Sequence, residues 1–289
     1  MTALLKQLFK RLDHSLLYST SSPIPFKAVA FRHDMDNIFD EGSLEKFLRQ
    51  DEKNDFPSTL FFLNRQKLLL EKFGPLPEKY EIALHSEARP LLLWTLGATK
   101  LVVNNYAKNL RRQKKYLGLM PAGHAPHAQH NYLCYNTLIN WEMIAAATAR
   151  CSFGYLSDWL VPSATPEGKE RFATPYPMHF VFYDKNKTLV IPTAWDDKFF
   201  FVNNMQKNLY PHNHPLTPTN AKALESISNS LERCVSREIP FVINLHPCHW
   251  DNAVSAGHHL KQDISVLAKE KGLAILPLAE IAKKASLMR

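Results

Sequence analysis

A short apolar run followed at once by clustered polar side chains constrains this chain more than any other feature. Residues 28–31 read Ala-Val-Ala-Phe and predict a short buried strand. Directly after them come Arg32, His33 and Asp34, with Asp36 two residues further on. Side chains two apart on an extended backbone face the same way, so Asp34 and Asp36 are expected to converge beyond the strand. Convergent carboxylates repel, so the stretch predicts either a metal-and-base pair or a solvated loop with a helix-capping aspartate.

Strand-like and helix-like segments alternate along the rest of the chain. The residue pattern predicts further strands at 58–63, 81–84, 153–156, 180–183, 189–192, 241–245 and 273–276. It predicts helices at about 1–20, 42–51, 65–73, 97–117, 135–149, 221–236 and 263–271, with one more at the end of the chain. No linker composition interrupts this alternation. We therefore expect one α/β domain over residues 1–289, a distorted (β/α) barrel of about seven parallel strands with an amphipathic helix at about 1–20.

Composition limits the classes of function. The 289 residues are 45% hydrophobic and 21% charged, which is typical of a globular protein with a large core. The net charge of +8 favours an acidic partner or substrate, but the densest basic cluster, at 111–115, has no interleaved aromatics. We expect no nucleic-acid partner and rank a partner-binding role of that basic helix last. No apolar run reaches about 18 residues, so no stable membrane insertion is expected.

The four cysteines form no CxxC pair and no closely spaced set. In a chain of this size they predict reduced, mostly buried thiols in a cytoplasmic protein.

Chemically capable residues follow the predicted strands. His85 comes after the strand at 81–84 and His246 after the strand at 241–245, just as Asp34 and Asp36 follow the first strand. The carboxyl ends of barrel strands are where α/β barrels build active sites. Asp and His together suit zinc or another divalent first-row metal, which lowers the pKa of a bound water. A second carboxylate could take the proton of this water, and a histidine could protonate the leaving group. The clusters thus predict metal-assisted hydrolysis of an amide or ester.

Four ordered motifs carry a resemblance to a known family. They are Asp34-x-Asp36, Leu84-His85-Ser86, Tyr155-Leu156-Ser157-Asp158 and Leu245-His246-Pro247. Their order resembles that of the polysaccharide deacetylases, the NodB homology or carbohydrate esterase family 4 proteins, in the divergent branch whose first motif reads Arg-His-Asp-x-Asp. The strand at 58–63 and the stretch at 192–197 also resemble family segments. The resemblance covers about residues 28–281.

The resemblance implies a function and a set of roles. It implies metal-dependent removal of N- or O-acyl groups from a carbohydrate, with a divalent metal, Zn²⁺ by preference, as cofactor. By motif, Asp34 would be the general base, Asp36 and His85 metal ligands, and His246 the general acid. In the absence of a signal peptide, we expect a cytoplasmic glycan precursor or nucleotide-linked sugar as the substrate.

Other residues are candidates for the substrate site. Trp250 could form a sugar-stacking wall, and Arg89 is assigned to the substrate as well. Arg32 could bind an anionic group of the substrate, or pair with a carboxylate. Asp158 could line the sugar site or cap a helix, and the same two alternatives hold for Asp196 and Asp197. His33 could orient a carboxylate, or pack against the floor of the barrel.

The chain departs from the family pattern at one position. Arg89 stands where the family usually has a second histidine, so the third metal ligand is open. The candidates are His124, His127 and His130, of which we favour His127 or His124 because a rim loop is expected there; Glu87 or a water are alternatives. The same departure supports a competing hypothesis, a degenerate barrel that binds a saccharide without turning it over.

Overall fold

A curled sheet of ten strands organises the part of the chain that the computed structural model describes, residues 18–52, 55–87, 99–126, 141–159, 177–197, 220–247 and 257–288. The strands are β1 (Tyr18–Thr20), β2 (Val29–Asp34), β3 (Ser58–Leu63), β4 (Tyr80–Ser86), β5 (Gly123–Pro126), β6 (Tyr155–Trp159), β7 (His179–Tyr183), β8 (Asn186–Thr193), β9 (Trp195–Asp196) and β10 (Phe241–Asn244). Their order in the sheet is β1-β7-β8-β6-β5-β4-β3-β2-β10-β9.

In this order, every neighbouring pair in the series β8-β6-β5-β4-β3-β2-β10-β9 is parallel. Antiparallel pairings occur only at one edge, where β7 pairs with β8 and β1 pairs with β7. β8 and β9 are separated along the chain by Ala194 alone, yet β8 pairs with β6 and β9 pairs with β10. One continuous segment therefore joins the two ends of the parallel series and curls the sheet. The α/β class is confirmed. The expected count of about seven parallel strands is not confirmed, since the described sheet has ten strands, of which eight form the parallel series and two pair antiparallel.

Seven α-helices of the described chain accompany the sheet. They are α1 (Glu41–Glu52), α2 (Lys67–Phe73), α3 (Thr99–Leu117), α4 (Trp141–Arg150), α5 (Asn220–Ser236), α6 (Gly257–Glu270) and α7 (Leu278–Leu287), and a 3₁₀ turn, Asn64–Gln66, precedes α2. None of these described helices is long and apolar enough to cross a lipid bilayer.

Alternation along the strands separates two apolar clusters. Phe31 on β2 and Ile243 on β10 belong to the outer cluster, which includes helix residues such as Leu110 of α3. Ala30 and Val242, one residue away on the same strands, belong to the inner cluster, which includes the apolar face of α7. A strand with apolar residues on both faces is typical of a parallel sheet covered on both sides.

Helix α7 closes the amino end of the curled sheet. Its first backbone N–H groups donate to the Thr59 hydroxyl, 2.9 Å from the nitrogen of Leu278, and to the Glu81 carboxylate, 2.8 Å from the nitrogen of Ala279. Both acceptors lie near the start of their strands, β3 and β4. The opposite, carboxyl end of the inner face therefore remains for polar side chains.

Three local predictions need correction. Residues 18–20, expected at the end of a helix, form β1, while residues 1–17 lie outside the described part. The predicted strand at 273–276 is reduced to one bridge between Ile275 and Val29, because the chain turns into α7 at Pro277. Residues 123–126, expected in a loop, form β5; Gly123 is required there because a Cβ would lie 1.7 Å from the Tyr155 ring.

Two of the four cysteines lie in the described part of the chain. Cys151 and Cys234 are buried and free, as predicted for reduced thiols. Cys134 and Cys248 fall outside the described residues.

Candidate active site

Strand β2 places Arg32 and Asp34 side by side on the inner face. The guanidinium binds the carboxylate as a fork, with Nε 2.9 Å from Oδ1 and Nη2 3.0 Å from Oδ2. Its remaining nitrogen, Nη1, lies 3.1 Å from both the Ser157 and the Thr193 hydroxyls. Arg32 is 1% exposed. The prediction that Arg32 binds substrate is therefore wrong, because all three nitrogens are engaged with the protein; its alternative role, pairing with a carboxylate, is confirmed.

The Asp34 carboxylate is the meeting point of the site. Its Oδ2 accepts the Asn244 amide at 3.0 Å and lies 3.6 Å from Nε2 of His246 and 3.8 Å from Nε2 of His85. Burial would raise the pKa of Asp34, but the Arg32 guanidinium and the two imidazoles outweigh burial and hold this pKa well below its usual range. Asp34 is therefore ionised, oriented and buried.

His246 is held by Asp197 at two points. The backbone N–H of His246 donates to Oδ2 of Asp197 at 2.7 Å, and Nδ1 of the ring lies 2.5 Å from Oδ1. Asp197 directly follows β9, which pairs in parallel with β10, and His246 lies two residues beyond β10. The carboxylate therefore fixes the ring through Nδ1 and leaves Nε2 facing Asp34.

Asn244 links the two carboxylate groups of the site and was missed by the sequence reasoning. It lies opposite Arg32 on β2 and opposite Asp196 on β9 in the strand register. Its amide donates to Asp34 at 3.0 Å and to Asp196 at 2.9 Å. A signal was available, since Asn244 and His246 are two residues apart at a strand end, the same spacing as Arg32 and Asp34.

Asp36 does not share the strand face of Asp34. Strand β2 ends at Asp34 and the next residues form a turn, so the period-two argument applies to Arg32 and Asp34 rather than to Asp36. Asp36 is nevertheless only 8% exposed at the carboxyl end of β2. His85, which was expected to bind a metal together with Asp36, lies at the end of β4. It is fully buried on the inner face, with Nδ1 3.2 Å from the Ala125 carbonyl and Nε2 towards Asp34.

His124 is part of the core on the outer side of the sheet. Its Nε2 lies 2.7 Å from the Ser86 hydroxyl and its Nδ1 3.1 Å from the Thr148 hydroxyl, and its ring packs against Phe153. With both ring nitrogens engaged away from the inner face, His124 cannot serve as the predicted metal ligand. The physical reason is that β5 extends through residue 124, so this side chain is on a strand and not on a rim loop.

His33 also faces the outer side of the sheet. Its Nδ1 lies 2.8 Å from the Leu245 carbonyl, and its ring meets the Phe47 ring edge-on at 5.2 Å. Burial lowers the pKa of His33 to about 4, and nearby Lys261 acts in the same direction. A neutral His33 that packs on this face does not orient the carboxylates on the inner face.

Several predicted site residues cannot be placed. Arg89, His127, His130 and Trp250 lie outside the described residues. Asp158 lies in β6, opposite Pro192 of β8, but only its backbone belongs to the described part. Their roles in metal or substrate binding therefore stay predictions.

Three described side chains form a group of possible metal ligands. One ligand atom each from Asp196, Asp197 and His246 lies within 4.8 Å of the others, and all three residues are buried. The predicted pair Asp36 and His85 belongs to no such group of three within the described chain.

Comparison with solved structures identifies the fold. A Mycobacterium smegmatis protein assigned as a polysaccharide deacetylase is similar at a TM-score of 0.62, with 16% identity over 93% of this chain and 95% of the other. A Pseudomonas aeruginosa protein of the same assignment gives 0.49, with 11% identity over 90% of each chain. A family 4 carbohydrate esterase from Streptomyces lividans, solved with acetate, gives 0.44, with 13% identity over 87% and 92%.

Sequence comparisons add no relative. No protein-family model matches this chain, and no curated protein matches it. An identity near 16% is evidence for the fold alone. The fold assignment rests on the Mycobacterium smegmatis structure, which has a TM-score of 0.62. The chain has the fold of a polysaccharide deacetylase, as its ordered motifs predicted.

Proposed function

We propose that this protein is a metal-dependent hydrolase that removes an acetyl group from a carbohydrate, with a cytoplasmic glycan precursor or nucleotide-linked sugar as the substrate. One observation carries the proposal. Asp34, His85, His246, Asp196 and Asp197 converge, buried, at the carboxyl end of a curled parallel sheet. This is the end at which α/β barrels bind and convert their substrates.

The charge of the site supports a bound cation. Asp34, Asp36, Asp196 and Asp197 are four carboxylates with at most 8% exposure, and Arg32 is the one guanidinium among the described residues that contacts them. Buried carboxylates gathered in one place are costly unless counterions lie beside them. A divalent cation would be such a counterion, and carboxylate oxygens with imidazole nitrogens are donors that zinc accepts.

Two sets of residues could hold the cation. Asp36 and His85 are the set that the family resemblance implies, with His127 as a third candidate. Asp196, Asp197 and His246 form the compact described group. We favour Asp36 and His85, because both oxygens of Asp197 are already bound to His246 and a metal there would displace those hydrogen bonds. When bound, the cation would polarise the acyl carbonyl and lower the pKa of a water molecule.

The remaining residues supply proton transfer. Asp34, fixed by Arg32 and Asn244, is proposed to accept a proton from the attacking water. The water oxygen bonds to the acyl carbon, and the bond from that carbon to the sugar nitrogen or oxygen breaks. His246, oriented by Asp197, then donates a proton from Nε2 to the leaving atom. The products are acetate and the free amine or hydroxyl of the sugar, so the atoms and protons balance.

Acetate release from acetylated sugars tests the proposal. Purified protein treated with chelator and then with zinc should release acetate from an N-acetylhexosamine oligosaccharide only after zinc is added. Asp34→Asn should lose turnover while keeping metal, and Asp36→Ala should lose both. Full activity of both variants, or equal activity with and without zinc, would overturn the assignment.

The second candidate is a barrel that binds a saccharide without turnover. Arg89 in place of the usual second histidine favours it. Saccharide binding with no metal and no acetate release would select this function over the first.

A further inference from the structure

Three partly exposed side chains cross the carboxyl ends of three neighbouring strands. Phe39 follows β2 in the loop after Asp36, Arg65 lies in the 3₁₀ turn after β3, and Glu87 directly follows β4. These strands are adjacent in the sheet and deliver Asp34 and His85 to the site. The three residues, called the rim subsite below, therefore lie at the same edge as the buried cluster but outside it.

The rim subsite is one connected surface. The Arg65 guanidinium lies over the Phe39 ring at 5.0 Å from its centroid, and its Nε is 3.4 Å from Oε1 of Glu87. Phe39 is 58% exposed, and the side chains of Arg65 and Glu87 are 53% and 35% exposed. An aromatic ring at the edge of a candidate active site thus presents an open apolar surface beside a polar pair.

Hydrogen bonds to a buried glutamine hold this surface in place. Nε2 of Gln66 donates to the Met35 carbonyl at 2.6 Å and also to the Ile38 carbonyl, and its Oε1 accepts the backbone N–H of Leu63 at 2.7 Å. Gln66 is 2% exposed. It ties the loop that carries Phe39 to the turn that carries Arg65. A surface fixed in advance loses little conformational entropy when a ligand binds.

The chemistry of the rim subsite fits a sugar ring. A phenyl ring offers a flat apolar surface to the C–H face of a pyranose, and such rings combine large contact area with fixed geometry. Within the described chain, Nη1 and Nη2 of Arg65 make no hydrogen bond to another residue, and both can donate to hydroxyls. The Glu87 carboxylate can accept from hydroxyls. Because Glu87 cancels the charge of Arg65, the pair favours an uncharged ligand.

We propose that the rim subsite binds a neutral sugar ring adjacent to the acylated sugar. This inference rests on the proposed function with a glycan as the substrate, since the two rings belong to one molecule; a nucleotide-linked sugar would bring a charged diphosphate as the neighbour instead. The net charge of +8 favours an acidic substrate for the chain as a whole. At the rim subsite this preference does not apply, because the charges of Arg65 and Glu87 balance each other.

Calorimetric binding of two oligosaccharides to the full chain tests the proposal. The probes are a neutral N-acetylhexosamine tetrasaccharide and a tetrasaccharide in which N-acetylhexosamine alternates with hexuronate. Phe39→Ala should weaken binding of the neutral probe about tenfold, the loss expected when a stacked aromatic contact is removed. Glu87→Gln leaves the Arg65 charge uncompensated and should strengthen binding of the anionic probe by about threefold or more.

Leu287→Ala is the control. Leu287 is also an exposed apolar side chain, at 79%, but it lies on α7, which closes the opposite, amino end of the sheet. Its removal should change neither affinity, and the melting temperature of each variant reports folding. The inference is overturned if wild type prefers the anionic probe or binds neither, or if Phe39→Ala binds like wild type. Weakened binding in Phe39→Ala without any acetate release would keep the rim subsite and reject the hydrolase.

Discussion

Both oxygens of the Asp197 carboxylate are bound to His246, one to its backbone N–H and the other to Nδ1 of its ring. The imidazole is therefore fixed in position and tautomer by a single side chain that follows the neighbouring strand. A carboxylate bound to Nδ1 also stabilises the protonated ring, which is what a general acid requires. The pair, together with the Asp34 carboxylate 3.6 Å from Nε2, has the ordered arrangement that the proposed acid and base require.

The first prediction concerns this pair. Asp197→Asn keeps the shape of the side chain but removes its charge and one acceptor of the His246 hydrogen bonds. We expect kcat for acetate release to fall about a hundredfold or more, with KM little changed, because orientation and charge act on the proton-transfer step. Asp184→Asn is the control, since Asp184 is exposed in a turn with φ of 57°, which asparagine tolerates. Equal losses in both variants would contradict the assigned role of Asp197.

The second prediction concerns Asn244. Asn244→Leu is similar in size but removes the donors to Asp34 and Asp196, which should lower kcat about tenfold to a hundredfold. Asn244→Asp adds another buried carboxylate and should lower the melting temperature of metal-free protein more than the leucine variant does. Added zinc should raise the melting temperature of Asn244→Asp more than that of Asn244→Leu. A zinc-independent melting temperature in Asn244→Asp would argue against a cation near this cluster.

The third prediction separates metal ligands from core histidines. Elemental analysis should find about one equivalent of zinc in the wild-type protein, and this metal should be lost in Asp36→Ala and His85→Ala. His124→Gln should keep the metal and instead lose about 1–3 kcal/mol of stability, because its buried partners lose hydrogen bonds. Zinc retained in His85→Ala but lost in Asp196→Asn would move the site to the compact group of Asp196, Asp197 and His246.

The fourth prediction concerns stability in acid. The pKa of His33 is about 4 in the folded protein because of burial, against 6.5 for an ordinary histidine. Above pH 6.5 the ring is neutral in both states, and between pH 6.5 and 4 only the unfolded chain takes up the proton. The free energy of unfolding should therefore fall as the pH falls through this window, by about 3 kcal/mol from this group.

His33→Asn can still donate to the Leu245 carbonyl but does not titrate. Urea unfolding between pH 7 and 4 should show a shallower loss of stability in this variant than in wild type. Parallel curves for His33→Asn and wild type would show that His33 is not the group responsible.

Local pattern was sufficient to find the strands and the chemistry at their ends. Residues 58–63 were predicted as a strand with the bounds that β3 has. His246 was placed correctly just beyond β10, and His85, expected just past a strand, is the second-to-last residue of β4. These predictions succeed because strand propensity and period are local, and because parallel strands bring their carboxyl ends to one edge. The ordered motifs predicted the type of fold, and the solved structure with a TM-score of 0.62 confirms it.

Pairings between distant strands decided the rest. The sequence could not tell that Arg32 binds Asp34 rather than substrate, since Ser157 and Thr193, which complete its contacts, are more than a hundred residues away. Nor could it separate His85, on the inner face, from His124, on the outer one, because that depends on where β5 begins and with which register it pairs. The sequence by itself determined which residues reach the edge of the sheet. Only the tertiary structure decided which of them meet, because burial, charge and hydrogen bonding are properties of neighbours in space.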